Sequence, residues 1–171
     1  MAALGLQPSP ILSREDRAPI WPTGVVGSIS HCQAYCCAVV GRADGRAAVG
    51  LDAELLQPLE LDLQQQILVE EERRGLERLR DGIPWACVVF SIKEAIYKAW
   101  HPLMRRWLGF HDAFVQVDPP TSRFEADLIG DGIPASLRRM EGRFVIDGPL
   151  VIAALALPVR GDVFAMAKAE E

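Results

Sequence analysis

Two acidic side chains, two residues apart, are the first candidates for chemistry in this sequence. Asp52 and Glu54 fall within residues 49–54, which have the pattern of a strand. Since side chains alternate between the faces of a strand, both carboxylates share one face, and Leu51 and Ala53 point the other way. Two carboxylates about 4 Å apart repel by roughly 4 kcal/mol at an effective dielectric near 20. Either solvent or a divalent cation must relieve that repulsion, and hard oxygen ligands of this kind suit Mg²⁺.

A third carboxylate, Glu94, lies in a segment with the pattern of a long helix. Apolar residues recur at helical spacing between Pro84 and Pro102, and the opposite arc carries Lys93, Glu94, Tyr97 and Lys98. One interpretation is a solvated face with a Glu94–Lys98 ion pair worth only ~0.3–0.5 kcal/mol. The other is a phosphoryl-transfer site. There the lysines offset charge on the transferred oxygens, and the carboxylate positions or deprotonates a nucleophile.

Residues that suit an anion also precede the acidic segment. His31 follows Ser30, and an imidazole can donate a hydrogen bond to a phosphate in either tautomer, although a lone histidine is more often structural. Arg14 and Arg17 lie in a loop, where solvation is the default, but their charges could face the same anion. The segment containing Trp107 and Leu108 favours packing.

Composition narrows the function classes. The chain has 171 residues, 50% of them hydrophobic and 24% charged, with a net charge of −5. That is too apolar for a disordered protein, and the negative charge disfavours nucleic acid as a partner. The longest apolar run, residues 149–159, contains Pro158 and is far shorter than the ~20 residues of a membrane helix. No secretory signal is visible, so we expect a cytoplasmic protein whose four cysteines are small buried thiols rather than disulfide or zinc ligands.

Helix and strand patterns predict an α+β fold. Residues 35–41 and 47–54 read as a hairpin around the turn Ala43-Asp44-Gly45, and residues 61–79 read as one helix. The other predicted strands are 25–31, 114–117, 123–129, 142–146 and 150–157. A lobe of residues 1–58 and a lobe of residues 59–171 are expected. Ala2-Ala3-Leu4-Gly5 has the pattern of a helix end with a glycine cap, which favours either fraying or a missing upstream segment.

Four motifs follow one another along the chain. They are Trp21-Pro22-x-Gly24, Gly27-Ser28-Ile29-Ser30-His31-Cys32, Gly50-Leu51-Asp52-Ala53-Glu54 and Phe90-Ser91-x-Lys93-Glu94-Ala95-x-Tyr97-Lys98-Ala99. Together they resemble the 4′-phosphopantetheinyl transferases, most of all the enterobactin synthetase component D type. The segment Trp107-Leu108-Gly109-Phe110-x-Asp112-Ala113 and the late Gly142-Arg143-Phe144 strand fit that type too. Each motif alone is weak, but both acidic motifs in this order are a specific signal.

The resemblance implies a fold, a reaction and its partners. The fold is two similar α+β lobes, the first incomplete here, with coenzyme A in the cleft between them. The reaction is Mg²⁺-dependent: a serine of an acyl or peptidyl carrier protein attacks the β-phosphate of coenzyme A. Adenosine 3′,5′-bisphosphate is released and the phosphopantetheine arm stays on the carrier. The type serves siderophore and other nonribosomal peptide or polyketide pathways, and we expect a monomer.

The resemblance also implies residue roles. Asp52, Glu54 and Glu94 match the metal positions, with the Ala53 carbonyl close enough to contribute. Glu94 also matches the proposed base, and Lys98 matches the lysine on the pyrophosphate. The positions implied for the coenzyme are Ser30, His31, Asp52, Lys93, Glu94, Lys98 and the backbone of Leu108, with Arg14 and Arg17 as replacements for basic residues that the family carries upstream.

Departures from the family pattern keep two other functions open. The family's arginines upstream of the Trp-Pro segment are absent, Cys36 and Cys37 replace an arginine and a small residue, and Val151 stands where threonine is common. Weak coenzyme A binding is therefore expected. The alternatives are a shortened homologue that binds a carrier protein without turnover, and a different Mg²⁺-dependent phosphohydrolase that uses Asp52 and Glu54.

Overall fold

A computed structural model describes residues 1–33, 35–79 and 81–159. Within these ranges the chain forms an α+β fold, as predicted. The strands are β1 (Leu12–Ser13), β2 (Pro19–Ile20), β3 (Val25–Cys32), β4 (Tyr35–Arg42), β5 (Arg46–Leu55), β6 (Ala113–Asp118), β7 (Arg123–Leu128), β8 (Arg139–Asp147) and β9 (Leu150–Pro158). The helices are α1 (Leu61–Ile67), α2 (Glu70–Leu76) and α3 (Trp85–Met104), with short 3₁₀ turns between elements.

The core lies between α3 and an antiparallel five-stranded sheet ordered β5-β9-β8-β7-β6. The helix has the apolar periodicity that its sequence predicts, and Ile92, Ile96 and Trp100 are fully buried against the sheet. Phe124 and Val151 supply the facing side chains at 1% and 0% exposure. Because α3 packs along β5, the helix that carries Glu94 lies against the strand that carries Asp52.

The predicted hairpin between residues 35–41 and 47–54 is wrong. The chain does turn at Gly45, whose φ is 96°, but β4 pairs with β3 and β5 pairs with β9. An Asp-Gly turn specifies only the local reversal. The pairing follows burial instead: the middle of β5 is buried throughout, and β9 supplies an alternating buried face over nine residues. The acidic strand therefore belongs to the large sheet.

The predicted helix over residues 61–79 is also interrupted. Leu68 is extended (φ −96°, ψ 131°) and separates α1 from α2. The carboxylate of Glu72 caps the second helix by accepting the backbone N–H of Val69 at 2.9 Å. The same buried carboxylate pairs with Lys93 at 2.8 Å. The break thus brings an acidic partner to a lysine on α3.

The first residues confirm the predicted glycine cap. Ala2–Leu4 form a 3₁₀ turn, and Gly5 (φ 70°) donates its N–H to the Ala2 carbonyl. The division of the chain into lobes 1–58 and 59–171 stays a prediction. Within the described ranges, no helix is long and apolar enough to span a membrane. The four cysteines are free thiols: Cys87 is buried, Cys32 and Cys37 are partly exposed and Cys36 is exposed, so the expectation of buried thiols holds only at Cys87.

Gly50 is the point of closest approach between β5 and α3. A Cβ at this position would overlap with the carbonyl oxygen of Ala95. Gly50→Ala should therefore lower the free energy of unfolding by about 1–3 kcal/mol, because the helix must move away from the strand. Urea denaturation measures the loss. The control is Gly75→Ala in α2, where no atom meets the added Cβ and helix propensity favours alanine by up to about 1 kcal/mol. Equal stability of the two variants would contradict this prediction.

Candidate active site

A cavity of about 830 Å³ lies where the loop between β1 and β2 approaches β3, β5 and the last turns of α3. The structure brings most of the predicted site residues to its walls. Those that line it are Arg14, Arg17, Ser30, His31, Asp52, Glu54, Glu94 and Lys98. Arg14 and Arg17, for which solvation is the default interpretation of the sequence, therefore face the same cavity as the carboxylates.

Asp52 is the buried carboxylate of this site, with its side chain 3% exposed. Its Oδ1 accepts hydrogen bonds from the Ser30 hydroxyl at 2.9 Å and the Lys98 ammonium at 2.8 Å. Its Oδ2 is buried and has no hydrogen-bond partner among the described residues. The predicted pair between Glu94 and Lys98 is therefore corrected: Lys98 pairs with Asp52, because a buried carboxylate needs a counter-ion more than a partly exposed one does.

Glu54 and Glu94 complete the acidic group. Burial raises the pKa of Glu54 to about 7, the charge of Asp52 adds to the rise, and Lys98 offsets part of it. Burial likewise raises the pKa of Glu94, again with a contribution from Asp52. Glu94 in turn contributes to the raised pKa of Glu54. All three carboxylates thus interact electrostatically, which the spacing on one strand face predicts for Asp52 and Glu54 alone.

The position of Lys93 in the structure disagrees with the coenzyme contact predicted for it. Its side chain is 1% exposed and pairs with Glu72. The ammonium also donates to the carbonyls of Ile67 at 2.8 Å and Phe110 at 2.7 Å. Successive residues of a helix diverge by about 100°, so Lys93 points into the protein although Glu94 lines the cavity. Burial lowers the pKa of Lys93, and the carboxylate of Glu72 opposes that shift.

Two further predicted residues lie outside the cavity wall. Ala53 is fully buried, and its N–H donates to the Ser30 hydroxyl at 3.2 Å. The Leu108 side chain is 8% exposed and belongs to the hydrophobic core. The alternation of side chains along β5 turns Ala53 away from Asp52 and Glu54. The predicted metal contact of the Ala53 carbonyl and the predicted coenzyme contact of the Leu108 backbone involve main-chain atoms, which the orientation of these side chains does not test, so both stay predictions.

Comparison with known proteins places this site in a family. The model of the 4′-phosphopantetheinyl transferase superfamily matches residues 48–154, which include β5 and α3. This chain belongs to the 4′-phosphopantetheinyl transferase superfamily. The model of the 4′-phosphopantetheinyl transferase N-terminal domain matches residues 1–41, which include β3. Both sides of the cavity thus fall within matched regions, and transferase activity of this class follows from the membership.

Curated relatives agree with the family and refine the predicted type. The chain is 39% identical over 162 residues to the 4′-phosphopantetheinyl transferase PptT of Mycobacterium tuberculosis, covering 90% of this chain and 71% of that one. It is 39% identical to Svp of Streptomyces mobaraensis, covering 92% and 66%. Enterobactin synthase component D of Salmonella typhi is 36% identical over 87 residues, only 50% of this chain and 36% of that one. The phosphopantetheinyl transferase family is therefore confirmed, and the enterobactin type is matched over half the chain.

The donor atoms of this transferase site fit a divalent cation. Three carboxylates line one cavity, and oxygen donors are the ligands that Mg²⁺ takes in proteins. The buried Oδ2 of Asp52 lacks a partner among the described residues, which a metal ion would supply. Within the described part of the chain, no three acidic, histidine or cysteine side chains already form a closed metal-binding cluster. A cation held by all three carboxylates would require Glu54 and Glu94 to move closer to Asp52.

The raised pKa of Glu54 makes a pH-dependent prediction. A carboxyl whose pKa rises from 4.5 to about 7 on folding stabilises the fold below pH 4.5, and that stabilisation is lost as the pH rises through 7. Without metal, the melting temperature should therefore fall between pH 6 and pH 8. Added Mg²⁺ should raise the melting temperature more at pH 8 than at pH 6, because metal binding requires the ionised carboxylates. Differential scanning fluorimetry at the two pH values, with Glu54→Gln as control, checks both signs. A Mg²⁺ effect that is larger at pH 6 contradicts the prediction.

Sequence reasoning assigned no role to several further residues that line the cavity. Tyr97 and His101 line it, with ring centroids 5.4 Å apart. Asp16 Oδ2 approaches Arg105 Nη1 at 3.5 Å and His101 Nε2 at 3.9 Å, so the loop between β1 and β2 contacts the end of α3. Tyr97 and His101 were detectable, since they share a helix face with Glu94 and Lys98. The contact between Asp16 and Arg105 joins residues 89 positions apart, so no local sequence pattern could indicate it.

Proposed function

We propose that this chain transfers the 4′-phosphopantetheine group of coenzyme A to a serine of an acyl or peptidyl carrier protein, in a Mg²⁺-dependent reaction. The observation that carries the proposal is the convergence of Asp52, Glu54, Glu94 and Lys98 on one cavity. Three carboxylates next to a lysine suit a substrate with a pyrophosphate. The charge of that substrate needs both a metal ion and an ammonium group.

Each residue has a distinct role in this proposal. Asp52, Glu54 and Glu94 hold the metal ion, which when bound offsets the negative charge of the pyrophosphate oxygens. Lys98 lies at the cavity wall with its side chain 28% exposed, so its ammonium can contact the pyrophosphate. Arg14 and Arg17 face the same cavity from the loop between β1 and β2. We assign them to further phosphate groups of the coenzyme.

Glu94 is the proposed base. Its carboxylate lines the cavity together with Asp52 and Lys98, where it can accept the proton of a nucleophilic hydroxyl. The carrier serine oxygen forms a bond to the β-phosphorus, and the bond from that phosphorus to the oxygen bridging the two phosphates breaks. Adenosine 3′,5′-bisphosphate leaves with that electron pair. The serine proton passes to Glu94, directly or through water.

A mass-spectrometric assay tests the function. Apo-carrier protein incubated with this chain, coenzyme A and Mg²⁺ should gain ~340 Da, the mass of the phosphopantetheine group on the nucleophilic serine. Omission of Mg²⁺ and addition of EDTA should prevent the gain. No gain on acyl or peptidyl carriers would reject the enzymatic proposal. Retained binding of the carrier in that case would favour a non-catalytic binding module.

For the pathway, we propose carriers of siderophore or other nonribosomal peptide and polyketide synthesis. The support is the set of motifs that resemble the enterobactin synthetase component D type, together with the partial match to that protein. Parallel assays with a peptidyl carrier domain and a fatty-acid-type acyl carrier test the preference. A kcat/KM at least tenfold higher on the peptidyl carrier is expected, and the reverse order would reject this pathway.

A further inference from the structure

Two serine hydroxyls join the β3–β4 hairpin to the large sheet. β3 and β5 are not paired through their backbones, yet they lie side by side. The Ser28 hydroxyl accepts the N–H of Leu51 at 3.0 Å and donates to the Leu51 carbonyl at 3.4 Å. Two residues on, the Ser30 hydroxyl accepts the N–H of Ala53 at 3.2 Å. Both serines are buried, at 3% and 4% exposure, so these bonds replace part of a backbone ladder.

The Ser30 hydroxyl also contacts the charged centre of the site. It donates to Asp52 Oδ1 at 2.9 Å and accepts from Lys98 Nζ at 3.0 Å. A serine hydroxyl has one donor and two acceptor positions. With Ala53, Asp52 and Lys98 as partners, all three positions are used. In this arrangement the hydroxyl is fully engaged by the protein, while the coenzyme contact that the resemblance implies for Ser30 stays a prediction.

We propose that Ser30 is a positioning residue for Asp52, the proposed metal carboxylate. The inference rests on the proposed function and deepens it. The hydroxyl fixes Asp52 Oδ1 and the Lys98 ammonium relative to each other. That leaves Oδ2, buried and without a partner among the described residues, as the atom available to a metal ion. Partners that orient a metal ligand in this way commonly change metal affinity 10–100-fold when they are removed.

Ser28 is a matched control within the same strand. Its hydroxyl makes the equivalent contact between the sheets, but its bonds go to the backbone of Leu51 alone. Removing either hydroxyl leaves a buried N–H of β5 without this acceptor. Any effect on folding should therefore be similar in the two variants. Only the Ser30 variant should change the orientation of Asp52 and Lys98.

The experiment compares Ser30→Ala, Ser28→Ala and Ser30→Thr. Mg²⁺ affinity is measured by calorimetry on the coenzyme-free protein, and kcat and KM for coenzyme A are measured in the transfer assay. Ser30→Ala should weaken Mg²⁺ binding about 10–100-fold and lower kcat, with KM for coenzyme A within about twofold of the original. Ser30→Thr retains the hydroxyl and should recover Mg²⁺ affinity. Ser28→Ala should lower the melting temperature as Ser30→Ala does, with Mg²⁺ affinity unchanged.

Three results would overturn the proposal. One is a Ser30→Ala variant with a strongly raised KM for coenzyme A and unchanged Mg²⁺ affinity, which would make Ser30 a direct coenzyme contact. Another is an equal loss of Mg²⁺ affinity in Ser28→Ala, which would attribute the effect to the packing of β3 against β5 and not to the orientation of Asp52. The third is a parent chain that binds no Mg²⁺. Failure of the transferase function alone is distinguishable, because the Mg²⁺ titration uses neither carrier nor coenzyme.

Discussion

Glu94→Gln should reduce phosphopantetheine transfer by about a thousandfold or more while the protein stays folded. The substitution removes the proposed metal ligand and the proposed base together, and a general base alone contributes about 10²–10⁴. Stability should hold or increase, because burial and the charge of Asp52 both disfavour the ionised form of Glu94 and raise its pKa. Transfer is measured by the mass gain of an apo-carrier, and folding by the melting temperature without metal.

A matched variant separates this effect from a general loss of negative charge. Glu77→Gln removes a carboxylate from an exposed position just after α2, outside the cavity wall. Its transfer rate should stay within about twofold of the parent. If Glu94→Gln keeps more than a tenth of the parent activity, Glu94 is neither the base nor an essential ligand.

Lys93→Met should lower the free energy of unfolding by about 3–5 kcal/mol. The substitution leaves Glu72 charged and buried without its counter-ion, and removing one partner of a buried pair costs about that much. The carbonyls of Ile67 and Phe110 lose their bonds to the ammonium as well. The carboxylate of Glu72 also accepts the N–H of Val115 in β6 at 2.7 Å. Removing Lys93 should therefore also destabilise the contact between Glu72 and this edge strand of the sheet.

Chemical denaturation of Lys93→Met and Arg74→Met measures this difference. Arg74 pairs with Glu70 at 3.0 Å, but its side chain is 68% exposed. Such a pair contributes about 0–1 kcal/mol. A Lys93→Met variant as stable as Arg74→Met, with a raised KM for coenzyme A, would restore the coenzyme role that the sequence suggested for Lys93.

Local patterns predicted the elements and part of the site. The apolar period of residues 84–104 gave α3, and alternation along residues 49–54 placed Asp52 and Glu54 on one face, where both line the cavity. These features depend on neighbours within a few residues, so the sequence carries them directly. The family resemblance added Glu94 to the same group.

Strand pairing and ion-pair partners that depend on residues far apart in the sequence were not predictable in the same way. The Asp44-Gly45 turn indicated a hairpin, yet the partner of β5 is a strand about a hundred residues later. The break before Val69 depends on Glu72, whose role depends on Lys93 on another helix. Lys93 and Lys98 looked equivalent because only their types were visible. Their partners, Glu72 and Asp52, decide that one is structural and the other faces the cavity.

The pairing of β5 with β9 has a consequence for synthesis. Asp52 lies opposite Ala153 in this pair, and Glu54 lies opposite Val151. A chain emerging from the ribosome exposes the acidic strand long before its neighbour exists, and such non-local pairing forms slowly. The carboxylates therefore acquire their final arrangement only when nearly the whole described chain has been translated. A nascent chain arrested before residue 150 should lack the native arrangement of Asp52 and Glu54.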